Sequence, residues 1–342
     1  MSESFPAIQP LSRSQVVLGE RQLARPSKRE WIKHSVLFLL TFLSTTFAGV
    51  LLAAPEAVDS VREPILSGGL SYVLYVPDYY VHIVAAVFSF AIANPAILSE
   101  GLTFSLALLT ILTAHEMGHY LACRYYGVNA TLPFFIPAPP LFLAGTFGAF
   151  IKMKSPIPSR RALFDIDLAG PLAGFVALLP FALAGVLTLH LAPPQSGGPG
   201  VILSDPLLFH VVASFTGVNL ASALTNPLYM AAWIGLLVTS LNLMPVGQLD
   251  GGHGTFAVFG QRLHKIFGRL AFTSMALMAV LGFVWYGSPS GFLYTVLLAV
   301  MLKVRHPAPE EWEPLGSARV VIAVITLIVF GLCFVPFPIA IT

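Results

Sequence analysis

The sequence predicts an all-α polytopic membrane protein of about 7–8 transmembrane helices, with a small membrane-dipping β-hairpin. Three observations carry that expectation. Hydrophobic residues make up 56% of the 342, charged residues only 10%, and the mean hydropathy is +0.81; a soluble domain would carry about 25% charged residues. Apolar, nearly uncharged runs of spanning length recur along the chain. Between two of them lies a window that is apolar yet holds Pro133, Pro137, Pro139 and Pro140. A net charge of +2, with no basic-aromatic patch, excludes a nucleic-acid partner. Cys123 and Cys333 sit in or beside apolar runs, so neither a disulfide framework nor a Cys-based zinc site is expected.

Taken in order, residues 1–34 are Pro-, Ser- and Arg-containing and read as a cytoplasmic, largely disordered tail. Arg13, Arg21, Arg25, Lys28, Arg29 and Lys33 outnumber Glu3, Glu20 and Glu30, which places this end inside. Residues 35–53 form the first uncharged span, and 79–98 a second one interrupted by His82, Asn94 and Pro95. A further apolar run, 101–121, is taken as the next helix. The four prolines forbid a regular helix across 132–150, yet Phe134, Phe135, Ile136, Leu141, Phe142 and Leu143 are too apolar for a solvated loop. A hairpin dipping into the membrane reconciles the two, with 145–154 as an extended edge carrying Phe147, Ala149, Ile151 and Met153 on one side. Such an edge could hold an extended segment of a partner by backbone pairing or could merely pack within the fold, and the sequence favours neither. Residues 167–192 span again, opening with Gly170 and Gly174 as a small-residue face. Residues 193–205 are a Gly/Pro-rich outer loop, 207–224 a run too polar to span well, and 229–243 a firm span. Spans near 270–286, 291–303 and 320–336 complete the chain.

The chemistry is concentrated in two stretches. His115-Glu116-Met117-Gly118-His119 lies within the apolar run 101–121. Residues four apart share a helix face, so the two imidazoles can hold one Zn²⁺ while Glu116, to one side, takes a proton from the attacking water. With nine His and ten Glu in the chain, chance supplies this pattern with a probability under about one percent. Ionisable groups within a span are costly and mark function. The second stretch is Asn242-Leu243-Met244-Pro245-Val246-Gly247-Gln248-Leu249-Asp250-Gly251-Gly252, where Pro and Gly break a membrane helix beside one carboxylate. A catalytic zinc takes three protein ligands plus water, and Asp250 is the best third ligand. Asn242 is assigned to orienting or polarising the substrate carbonyl, Gln248 is a weaker candidate for that task, and His253 is a candidate contact beside the ligands.

The two motifs in this order, with Ala169-Gly170-Pro171 between them, resemble the site-2 protease family of intramembrane zinc metalloproteases over roughly residues 101–269. The resemblance implies one Zn²⁺ per chain held by His115, His119 and Asp250, with Glu116 as general base and Asn242 assisting. It further implies cleavage of membrane-protein substrates within the lipid bilayer, often regulators already shortened by another protease. No stretch is long enough for the PDZ or nucleotide-sensing domains of some members, and Gly174 stands where a polar residue would have been welcome.

On this reading the chain divides into the tail (1–34), accessory membrane segments (35–100), a zinc protease core (101–269) and C-terminal transmembrane helices (270–342). Basic residues around the core run the motif helix from outside to inside and put the metal toward the cytoplasmic half. A cytoplasmic N-terminus with two full crossings before residue 101 would deliver that helix from the wrong side, so 79–98 is re-entrant or the preceding loop also crosses. A bacterial inner membrane is expected, since no Ser/Arg-rich transit peptide is visible. The competing class is a zinc-binding permease or non-proteolytic membrane chaperone, which would tolerate loss of Glu116.

Overall fold

The computed structural model describes residues 25–59, 69–191, 201–220, 223–304, 309, 311 and 313–341. The elements in order are α1 (Lys28–Ala53), α2 (Glu56–Asp59), α3 (Gly69–Ala93), α4 (Pro95–Tyr125), β1 (Phe134–Pro137), β2 (Thr146–Phe150) and α5 (Arg160–Leu187). There follow β3 (His190–Leu191), β4 (Val201–Leu203), α6 (Leu207–Thr216), β5 (Ala223–Leu224) and α7 (Pro227–Asn242). The chain ends with α8 (Asp250–Tyr286), α9 (Ser290–Lys303), α10 (Ser317–Cys333) and β6 (Ile339–Ile341). Among the described residues five helices are long and apolar enough to cross a membrane: α1, the Val76–Ala93 part of α3, α4, α5 and α8. The helices α6, α7, α9 and α10 are apolar but shorter.

Helix α1 begins at Lys28, seven residues before the apolar run, because Ser27 and Glu30 close a capping box there. It packs antiparallel on α4 through small residues. A Cβ on Gly49 would stand 2.8 Å from the Gly101 Cα, and Thr45 Oγ1 meets Ser105 Oγ at 2.6 Å. Pairing of residue 49 with 101 and 45 with 105 puts the end of α1 and the start of α4 on the same side. The α1 end and the α4 start therefore lie on one side, so α4 runs opposite to α1, the direction that the basic residues around the core require. Helix α4 starts at Pro95, not near Gly101, since Pro at the first helical turn lacks only an N–H that would be unbonded anyway.

The core is a bundle of α4, α5 and α7, closed by Phe104, Leu108, Ile111, Phe164, Ile166, Leu178, Trp233 and Leu236, all essentially buried. Glycines bring the axes close: Gly185 lies against the Tyr229 backbone and Gly235 against Leu178 and Ile111. Helix α8 breaks at Gly260 (φ 75°) and packs its first segment on α5. Within the run 207–224, α6 covers ten residues and ends at Gly217 (φ 72°).

The expected hairpin is present. Strands β1 and β2 pair antiparallel, Phe134 opposite Phe150 and Phe135 opposite Ala149, with an irregularity between Phe135 and Pro137. The hairpin is bound to α1: on the β1 side His34 Nδ1 donates to the Pro133 carbonyl at 2.9 Å and Phe38 meets Phe135 edge-on, and past β2 Lys154 pairs with Glu30 at 2.8 Å. Gly145 rests on the Ser44–Thr45 backbone. Strand β2 has β1 as its partner on one edge, and its other edge is unpaired among the described residues. Two further two-stranded pairs, β3 with β5 and β4 with β6, tie loops outside the core.

Candidate metal centre

His115 and His119 occupy adjacent turns of α4, about 15 and 9 Å from its C-terminal end at 1.5 Å per residue. His115, Glu116 and His119 are 4%, 6% and 7% exposed. Room for the two rings comes from α5. A Cβ on Gly170 would lie 2.1 Å from His119 Nε2, and one on Gly174 would lie 3.1 Å from His115 Cβ. Gly118 of the motif itself lies against the Ala169 carbonyl. The expected small-residue face therefore does more than bring helices together: each glycine makes space for one imidazole. No polar residue is needed at position 174, because His115 fills that space.

His119 Nδ1 donates to the Ile166 carbonyl at 2.8 Å. That bond fixes the tautomer and leaves the Nε2 lone pair free to bind a metal. The Asn242–Gly252 turn then brings the third group in. Gly247 (φ 54°) sits where a Cβ would meet the Met301 carbonyl at 2.2 Å, and one on Gly251 would meet the Leu243 carbonyl at 1.9 Å. Only glycine fits such a tight reversal, and it delivers Asp250 as the first residue of α8. Asp250 Oδ2 lies 3.3 Å from His115 Nε2 and 3.4 Å from His119 Nε2, and the two nitrogens are 3.2 Å apart.

Those three separations test the donor set. Ligands at about 2.0 Å from a tetrahedral Zn²⁺ are about 3.3 Å from one another. Two neutral imidazoles and a carboxylate on a triangle of that size fit such an ion, and the three are the His/Cys/Asp/Glu group able to hold one among the described residues.

The other expected site residues fall as follows. The carboxylate of Glu116 is reached by the Ile151 backbone N–H, the residue just past β2, so the unpaired strand edge arrives beside Glu116. Asn242, the last residue of α7, places Nδ2 3.3 Å from His115 Nε2. Gln248 is exposed on the turn. His253 faces Asp167 of α5, 3.7 Å away, instead of the ligand triangle. Gly170, Gly174 and Asp167 are the site residues that sequence reasoning did not place. A glycine pair signals close approach, but nothing in it names an imidazole as the neighbour.

A family profile described as Peptidase family M50 matches residues 103–285. The chain is 32% identical over 265 residues to "Probable zinc metalloprotease EGY2, chloroplastic" of Arabidopsis thaliana, covering 74% of this chain and 45% of that protein. It is 29% identical over 247 residues to "Probable zinc metalloprotease EGY1, chloroplastic" of Oryza sativa subsp. japonica, covering 69% and 41%. The chain thus spans less than half the length of the curated relatives it matches. Among solved structures, the Site-2 Protease from Methanocaldococcus jannaschii is similar at 16% identity, covering 66% of this chain and 89% of that one. The TM-score is 0.34, too low to carry an argument.

Proposed function

Because the chain belongs to peptidase family M50, the site-2 protease family, we propose that it is an intramembrane zinc metalloprotease cutting membrane-protein substrates within or near their transmembrane segments. The observation that carries this reading is the 3.2–3.4 Å triangle of His115, His119 and Asp250, with Glu116 next to it on a buried turn of α4. His115, His119 and Asp250 would hold one Zn²⁺ per chain, and Glu116 and Asn242 would act on the substrate. Residues 101–269 form the proteolytic core in this proposal, with 35–100 and 270–342 as flanking membrane segments.

A bound zinc supplies a Lewis acid that lowers the pKa of water from 15.7 toward about 7 and polarises the scissile carbonyl. The chain's own residues do the rest. Glu116 takes the proton of the attacking water and passes it to the leaving amine, a role typically worth about 10²–10⁴-fold. Asn242 Nδ2 stands beside the His115 ligand nitrogen and orients the substrate carbonyl. The open edge of β2 pairs with an unwound stretch of substrate, because a peptide bond inside a helix is shielded from water and from the base. The Ile151 N–H, at the end of that edge, holds the Glu116 carboxylate.

The substrate is a transmembrane segment presented through lipid, such as a membrane-tethered regulator already shortened on one side. As for the compartment, the relatives' names place them in chloroplasts, so the bacterial inner membrane expected from the sequence finds no support there. The test is cleavage of a reconstituted membrane-tethered substrate by the purified protein and by Glu116→Gln. Zinc binding with no cleavage by wild type, on any membrane substrate tried, points instead to a permease or chaperone.

A further inference from the structure

One buried ionisable pair lies next to the triangle and is used by none of these steps. Asp167 and His253 are 4% and 6% exposed, and His253 Nδ1 stands 3.7 Å from Asp167 Oδ2. That oxygen makes no hydrogen bond among the described residues. Burying a carboxylate with so few partners is costly, and in a membrane span such groups mark function.

We propose that Asp167, acting through His253, is a positioning residue that fixes the rotation of the first turn of α8 and hence the direction in which Asp250 presents its carboxylate to His115 and His119. The proposal rests on the metal centre described above and adds a residue to it.

The first turn of α8 reads Asp250-Gly251-Gly252-His253-Gly254. Three of its five residues have no side chain with which to set the helix's rotation. Gly251 and Gly252 press on the carbonyls of Leu243 and Gly247, which belong to the same turn and move with it. The first segment of α8 is registered on α5 by His253 with Asp167, by Gly254 with Leu168 and, further along, by the Arg160 guanidinium on the Ala257 and Val258 carbonyls; of these, only the first two act within the glycine-rich turn that carries Asp250. Positions 250 and 253 share a helix face, three residues apart, so the direction of one side chain sets that of the other.

The α5 side is equally specific. Asp167 follows Ile166, whose carbonyl takes the His119 Nδ1–H. Two consecutive residues of α5 thus hold the two ligand-bearing helices, α4 through a carbonyl and α8 through a carboxylate. Pro171, four residues on, has no N–H to offer the Asp167 carbonyl, which loosens α5 at this turn. The separation of His119 from Asp250 is then set by one rigid peptide unit.

The experiment is zinc titration of the purified full chain against a chromophoric chelator, with the visible spectrum of the Co²⁺-loaded protein as a readout of ligand geometry. Asp167→Asn and His253→Phe, each shown folded by its elution and melting profile, are expected to lose about 10–100-fold in zinc affinity and to give an altered Co²⁺ spectrum. The double variant should lose no more than the worse single one, because the two act as a unit. His253→Gln, which restores a donor, should recover most of the affinity. Wild-type affinity and spectrum in a folded Asp167→Asn or His253→Phe overturns the proposal, as does a double loss equal to the product of the singles. Should His253→Phe not fold, wild-type affinity in Asp167→Asn alone overturns it. A wild-type chain that binds no stoichiometric zinc removes the metal centre itself, a result distinct from these.

Discussion

Alanine at Gly170 and alanine at Gly174 are the same chemical change one helical turn apart, and the structure assigns them different outcomes. At 170 the new methyl would stand 2.1 Å from His119 Nε2, 2.4 Å from Cδ2 and 2.5 Å from Cε1. Ordinary contact begins at 3.4 Å, so the ring must retreat by about 1.3 Å, whereas ligand distances in a zinc site hold to about ±0.2 Å. The ring has no cheap escape, because its Nδ1 is fixed to the Ile166 carbonyl. At 174 the methyl would stand 3.1 and 3.2 Å from His115 Cβ and Nδ1, a shortfall of only a few tenths of an ångström. Overpacking of either kind costs about 1–3 kcal/mol, which leaves the fold standing. Gly170→Ala is expected to lose more than about 100-fold in zinc affinity, beyond the range for a residue that only orients a ligand. Gly174→Ala is expected to stay within about tenfold. Chelator competition on purified protein, with melting curves alongside, measures both. Equal losses at the two positions, or wild-type zinc affinity in Gly170→Ala, would refute the claim that α5 makes separate room for each imidazole.

Further outcomes follow from the same geometry. Glu116→Gln should keep full zinc content and lose at least about 10²-fold in cleavage rate, whereas His119→Ala should lose both; metal analysis and a cleavage assay separate them. Removing zinc with a chelator should lower the melting temperature of wild type but not of His119→Ala, since about 100 Kd of free metal adds about 2.7 kcal/mol to a folded state that binds it. Arg319 forks onto Asp165 at 2.8 and 2.5 Å and reaches the Tyr126 hydroxyl at 3.1 Å, so Arg319→Leu should cost about 1–2 kcal/mol in unfolding free energy, discounted for partial exposure. Burial and then the hydrogen bond to Asp165 raise the Tyr126 phenol above its ordinary value. The folded chain therefore holds that proton more tightly than the unfolded one, and its contribution is full below about pH 10 and fades as pH rises through the raised value. Alkaline melting curves should fall more steeply for wild type than for Tyr126→Phe.

The parts legible in the sequence were those whose signal is local. An i, i+4 histidine pair with an adjacent glutamate fixes its own geometry once the run is helical. Four prolines in an apolar window leave few conformations besides a hairpin. The Pro/Gly break carrying Asp250 was legible because glycines at 247, 251 and 252 announce a reversal. The remainder depends on partners distant in sequence. Gly170 reads as helix packing until its neighbour is known to be a ring. Pro95 reads as an interruption of a span, yet it opens the motif helix at a position where its missing N–H costs nothing. Asp167 reads as one acidic residue at the mouth of a helix, and its burial against His253 appears only when α5 and α8 are side by side.

Two of the proposed ligands lie on α4 and the third opens α8, 131 positions after His119. A ribosome adding about 5–20 residues per second needs roughly 7–26 s to cover that interval. Throughout it the histidine pair exists without the aspartate. The donor set of the proposed centre is therefore complete only once the turn before α8 has been made, and any shorter chain would offer an ion two imidazoles and no carboxylate.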